Sequence, residues 1–202
     1  MEKITNDSKM LGAFFDDSNN LQSPNPGIVA GTFSDIQDDY KFNSFPRRIP
    51  LEDLFSWFKE QPDNRHYRFA KLTHEELRRI QPFIQFFVPD LVKSYLSSCQ
   101  IIPEKITVFI DGIVGRSYKA YLKDVLGRDF KEVRVENVVK REREMAKRPK
   151  QKRIYAPRGL MMADRLANSL YTGEYSQNQD KGYNPEVEVD QFHFLHLARE
   201  FG

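Results

Sequence analysis

Cysteine is almost missing from this sequence: Cys99 is the only one in 202 residues. An intrachain disulfide and a cysteine zinc cluster are therefore excluded, any metal would be held by oxygen or imidazole, and a reducing, cytoplasmic setting is the natural expectation. Long apolar runs are missing too. No stretch approaches the roughly 18 residues of a membrane span, and the opening MEKITNDSKM is polar, unlike a secretion signal, so no membrane association is expected. No repeat or low-complexity segment occurs. No phosphate-loop or dinucleotide glycine pattern occurs either, since the GIVGRS stretch at Gly112 is too short for one, and nucleotide binding is disfavoured.

What is present is an ordinary globular composition, 40% hydrophobic and 13% aromatic with 16 Phe. That is enough to bury one sizeable core, so residues 1–202 are expected to form a single domain. The net charge is only +2, but residues 140–153 (KREREMAKRPKQKR) hold eight basic and two acidic side chains, leaving the rest of the chain net acidic. Such asymmetry points to a polyanion, with Lys147, Arg148, Lys150, Lys152, Arg153 and Arg158 as candidate contacts to a nucleic-acid backbone and Tyr155 beside them. A solvated helix face, with Glu142 and Glu144 offsetting Arg143 and Lys147, explains the first half of the run equally well. A protein partner is the other kind of ligand to be weighed.

Residues 10–15 (MLGAFF) read as a strand ending in Asp16-Asp17-Ser18-Asn19, and a turn-rich stretch leads to a second strand at 27–33. Residues 34–65 read as an insertion beside the core, with a short amphipathic helix at 51–58. Residues 66–72 (HYRFAKL) alternate as a third strand. Thr73 and Glu76 then form a capping box opening a long helix through Leu77, Ile80, Ile84, Phe87, Leu91 and Tyr95, which Pro82 and Pro89 must kink or interrupt. Residues 106–110 (ITVFI) read as a central strand, Ser117 caps a helix that Gly127 ends, and 132–139 form a fifth strand. After a basic loop at 140–158, a helix is expected over 160–171. Residues 172–202 form a C-terminal extension whose helix includes Phe192, Leu195 and Leu197. Three strands, then helix, strand, helix, strand, helix is the element order of a ribonuclease H-like α/β fold, a mixed five-stranded sheet flanked by helices.

Two strands share an ending, AFFDD at Asp16 and VFID at Asp111. If they are parallel neighbours, both carboxylates lie at the edge where open α/β sheets place their ligands. Their mutual repulsion would raise one pKa unless a divalent cation sat between them. The bland reading is that each Asp merely opens a turn. Asp164, in GLMMADRLAN, has Leu160, Met161, Ala167, Asn168 and Tyr171 three, four and seven positions away, which places it on the apolar face of its helix. There it needs a partner, either Arg158 or Arg165, or a metal shared with the strand aspartates. Mg²⁺ or Mn²⁺ would prefer such oxygen ligands, and two cations about 4 Å apart would clamp the attacking and leaving oxygens of phosphodiester hydrolysis. Water would be the nucleophile, so no serine or cysteine is required. Glu76 is an auxiliary acid on this reading and a helix cap on the simpler one. His193 and His196 lie three apart but have no further ligand nearby in sequence, and a packing or surface role explains them; the same holds for His66 and His74, which flank the third strand.

The opening Asp16-Asp17-Ser18-Asn19 resembles the Asp-Glu-Ser-Gly of an uncharacterised ribonuclease H-like family of bacterial and phage proteins. Residues 159–168 resemble its closing Gly-Leu-x-x-Ala-Asp-x-x-Ala motif, and Asp111 matches the aspartate of its middle strand. The resemblance implies a metal triad of Asp16, Asp111 and Asp164, with Asp17 as auxiliary in place of the family's glutamate. It implies a Mg²⁺- or Mn²⁺-dependent nuclease acting on RNA, RNA-DNA hybrid or branched DNA. The rivals are a non-catalytic ribonuclease H-like module that binds nucleic acid or protein, and a PIN-type nuclease, which also gathers aspartates at strand ends.

Overall fold

Leu11, Ala13 and Phe15 alternate along the chain with Gly12, Phe14 and Asp16, and a strand with large apolar side chains on both faces needs cover on both. The computed structural model describes residues 4–18, 23–36, 53–60, 67–73, 84–99, 101–112, 114–137, 158–173, 185–190, 196, 197 and 199. Its elements run β1 (Ile4–Ser18), β2 (Gly27–Ile36), α1 (Leu54–Glu60), β3 (Tyr67–Leu72), α2 (Ile84–Ser97), β4 (Ile101–Ile110), α3 (Arg116–Leu126), β5 (Glu132–Asn137) and α4 (Arg158–Tyr171). The strands form one sheet in the order β3-β2-β1-β4-β5. β2 is antiparallel to both β1 and β3, whereas β1, β4 and β5 are parallel. A three-strand meander extended by two helix-linked parallel strands is the ribonuclease H-like arrangement expected from the element order.

Each face of the sheet has its own core. Leu11, Ala13, Phe15, Ile106, Val108 and Ile110 meet Phe87, Leu91 and Val92 of α2 and Tyr118, Leu122 and Leu126 of α3. On the opposite face Phe14, Ile28, Ala30 and Phe109 meet Leu54 and Phe58 of α1 and Leu160, Leu166, Ala167 and Leu170 of α4. Phe14 and Phe109 stack across the parallel pair with centroids 4.9 Å apart. Each fully buried Phe or Leu contributes about 2 kcal/mol. Leu54 and Phe58 thus take part in the second core from within the segment read as an insertion.

Several expected boundaries move. β1 and β4 both start earlier, because Ile4, Thr5 and Asn6 pair with Ile101, Ile102 and Pro103 before a register shift. Asn6, Asp7, Ser8, Pro103 and Glu104 interrupt the apolar pattern that would have announced this pairing. α2 runs unbroken through buried Pro89, at the cost of one intrahelical hydrogen bond. The opening of the long expected helix, residues 74–83 with Glu76 and Pro82, lies outside the described residues. α3 is capped by Gly115 with no side-chain hydrogen bond, so Ser117 sits inside the first turn and is not the cap. Gly127 ends that helix as expected, its N–H donating to the Lys123 carbonyl at 2.8 Å.

β5 is described to Asn137, and Val138 and Val139 lie outside the described residues, as do Lys147, Arg148, Lys150, Lys152, Arg153 and Tyr155. Within the C-terminal extension, residues 185–187 run along β3. The Phe69 N–H donates to Pro185 (3.1 Å), Val187 donates back to Phe69 (2.8 Å), and Lys71 pairs with Glu186 (2.9 Å). Leu197 is buried and helical and His196 is exposed, while Phe192, Leu195, His193, His66 and His74 lie outside the described residues. No helix among the described residues is long and apolar enough to cross a membrane.

Candidate functional site

β1 and β4 run side by side in the same direction, pairing Phe15 with Ile110, so the next residue of each strand is an aspartate at the same sheet edge. The Asp111 N–H donates to the Phe15 carbonyl at 3.2 Å, which fixes the Asp111 backbone against β1 one residue before Asp16. Gly112 follows with φ of 116°, a conformation that L side chains rarely adopt. The chain thus leaves the sheet immediately after the carboxylate.

Asp16 is only 9% exposed. Along β1 it shares the face of Phe14, the face that α4 covers. The helix lies very close to the strand there. A Cβ on Gly159 would collide with the Phe14 ring, and the buried Thr32 hydroxyl donates to the Gly159 carbonyl at 2.7 Å. This contact brings the Asp164 helix onto the strand that carries Asp16.

Asp164 does not lie on the apolar face of α4 as its sequence neighbours suggest. It is exposed, in a stripe with Met161 (49% exposed) and Asn168. The helix buries a wide arc, Gly159, Leu160, Met162, Ala163, Leu166, Ala167, Ser169 and Leu170, and Asp164 falls in the gap. Asn168 Nδ2 donates to Asp164 Oδ1 at 2.9 Å, and the Ser18 hydroxyl donates to Asn168 Oδ1 at 3.0 Å. Neither Ser18 nor Asn168 was singled out as a site residue from sequence, although both lie inside the two motifs quoted above.

The electrostatics tie the acids together. Burial is the largest influence on Asp16; the Asp17 N–H, donating to Oδ1 at 2.8 Å, opposes it, and repulsion from Asp111, Asp164 and Asp17 adds to it. The result lifts the Asp16 carboxyl from 3.8 to about 7. Asp17 is raised as well, first by burial and then by Asp111. A nearly buried carboxylate whose charged neighbours among the described residues are other carboxylates is the environment that a cation would relieve.

The oxygen donors of Asp16, Asp111 and Asp164 are of the kind that suits a hard divalent cation. They are not drawn into one closed ligand set: among the described residues no three His, Cys, Asp or Glu side chains form a group that could hold a metal ion. Exposed Asp164, hydrogen-bonded by Asn168, stands on the helix packed against β1, and its charge is felt at Asp16. Arg158 opens α4 and is partly buried, and it alone of the candidate nucleic-acid contacts falls within the described residues. Glu76 falls outside them.

No family model matches the chain, and no curated protein does. Solved structures with a similar fold include ribonuclease HII of Archaeoglobus fulgidus in complex with PCNA. It is 13% identical, with a TM-score of 0.42 over 82% of this chain and 74% of that one. Ribonuclease H2 of Pyrococcus horikoshii is 15% identical, with a TM-score of 0.39 over 83% and 75%. At such identities and scores, neither substrate nor chemistry carries over from them.

Proposed function

We propose that this chain is a cytoplasmic, divalent-cation-dependent nuclease that hydrolyses phosphodiester bonds of RNA, RNA-DNA hybrid or branched DNA. The observation that carries the reading is Asp16, nine-tenths buried and repelled by Asp111, Asp164 and Asp17. A structural aspartate would have no reason to be surrounded by its own charge. Asp16, Asp111 and Asp164 bind the cation and Asp17 supports the cluster from the next position on β1. Bound Mg²⁺ or Mn²⁺ supplies neutralisation of these acids and polarisation of water and phosphoryl oxygens. Asp111 is oriented through its backbone bond to Phe15, and Asp164 through Asn168. Arg158, with Lys147, Arg148, Lys150, Lys152 and Arg153, receives the phosphate backbone.

The absence of a closed three-acid group among the described residues favours a second reading, a ribonuclease H-like module that binds nucleic acid without cutting it. Cleavage of labelled single-stranded RNA, RNA-DNA hybrid and branched DNA with Mg²⁺ or Mn²⁺ separates the two. Cutting by the wild type that is lost in Asp111→Asn and in Asp164→Asn supports the nuclease. Binding without cutting, unaffected by either substitution, supports the module.

A further inference from the structure

Asp164 is exposed on α4, and an exposed aspartate samples several rotamers unless something holds it. Asn168, one turn further along the same face, donates from Nδ2 to Asp164 Oδ1, and its own Oδ1 accepts from the Ser18 hydroxyl at the end of β1. The bridge has one workable direction. Turning the amide over would set its oxygen against the carboxylate, acceptor against acceptor, while the Ser18 hydroxyl tolerates either partner. The amide thus spans the gap between the strand carrying Asp16 and the helix carrying Asp164, and it engages a single oxygen of Asp164.

We infer that Asn168, oriented by Ser18, is a positioning residue that fixes the Asp164 carboxylate toward the Asp16–Asp111 strand ends for cation binding. The inference rests on the cation-dependent reading of the site and adds two residues to it. Ser18 acts only through Asn168, because its hydrogen bond reaches the amide and not the carboxylate. Outer partners of this kind typically hold a factor of about 10 to 100 in metal affinity. Since Asn168 is exposed, its removal leaves the two cores untouched.

Mn²⁺ binding to the full chain, followed by electron paramagnetic resonance of the free ion, tests this without any substrate. Wild type is expected to bind and Asp111→Asn to lose binding. Asn168→Ala is expected to bind about tenfold more weakly, with the thermal midpoint in chelator unchanged. Ser18→Ala is expected to weaken binding less, and the double variant no more than Asn168→Ala alone, because the two residues act in series. Asn168→Gln and Ser18→Thr, which keep the donor and acceptor, should recover part of the loss. Wild-type affinity in Asn168→Ala, or losses that simply add in the double variant, would overturn the positioning role while leaving the cation site standing. A wild type that binds no Mn²⁺ would overturn both.

Discussion

Arg68 on β3 and Asp16 on β1 are 4% and 9% exposed, yet the fold surrounds them in opposite ways. The Arg68 guanidinium donates to the Ser94 hydroxyl at 3.1 Å, the Ser98 hydroxyl at 2.8 Å and the Tyr67 carbonyl at 2.7 Å. It also lies 6.0 Å from the Tyr95 ring centroid. Oriented dipoles and a π-face replace the water it has lost, so its charge is at rest. Asp16 receives one backbone N–H and three like charges. The same degree of burial holds the sheet to α2 in one place and leaves an electrostatic demand in the other, and unmet demand is what separates a binding site from a structural charge.

Removing the contented charge should cost the most. Arg68→Met would remove the guanidinium's bonds to the Ser94 and Ser98 hydroxyls and to the Tyr67 carbonyl and is expected to lose about 3 kcal/mol, lowering the thermal midpoint by roughly 6–12 °C. A midpoint within a degree or two of wild type would erase the contrast.

Asp16→Asn should move stability the other way. The folded carboxyl titrates near 7 against an ordinary 3.8, so between these values the folded state keeps a proton that the unfolded chain releases. Wild-type stability therefore falls as pH rises through that window, with the whole penalty present above about pH 7. In chelator at pH 8 the Asn variant is expected to be more stable by roughly 2 kcal/mol, about half of what the full shift would give because solvent screens the exposed Asp164 and part-exposed Asp111, and at pH 3.5 nearly equal to wild type. Urea titrations at the two pH values check this, and an advantage independent of pH would mean the carboxylate is not under strain.

A smaller effect is expected at the joint that sets the acid site. Gly159→Ala should cost about 1–2 kcal/mol, because the added methyl meets the buried Phe14 ring, even though alanine favours a helix. The same variant should weaken Mn²⁺ binding by lifting α4 from β1. The least effect belongs to Lys71→Met, which removes a half-exposed ion pair with Glu186 and is expected to change stability by less than about 1 kcal/mol.

The strand-end aspartates were legible in the sequence because each closes an apolar run, and parallel pairing of β1 with β4 then makes their proximity a matter of topology. The element order likewise carried enough information for the sheet. Exposure of Asp164 was not legible. Met161, an apolar residue facing solvent, stood among its helical neighbours and made a polar stripe look like a core face. The bridge from Ser18 to Asn168 joins residues 150 positions apart, and no local pattern announces such a partner. Arg68 was hidden for the same reason: HYRFAKL shows the alternation, but the serines that make an inward arginine tolerable arrive only with α2.

The pairing of residues 185–187 with Phe69 has a consequence for how copies of this chain behave toward one another. β3 is the end of the sheet order, and an uncovered edge strand invites addition of a strand from a second molecule. By occupying the N–H and C=O of Phe69, the returning segment covers that edge on the side of the sheet away from β4 and β5, and it is expected to guard against self-association. A chain shortened to end at Gly173 loses this cover together with buried Leu197 and is expected to aggregate, which light scattering would register.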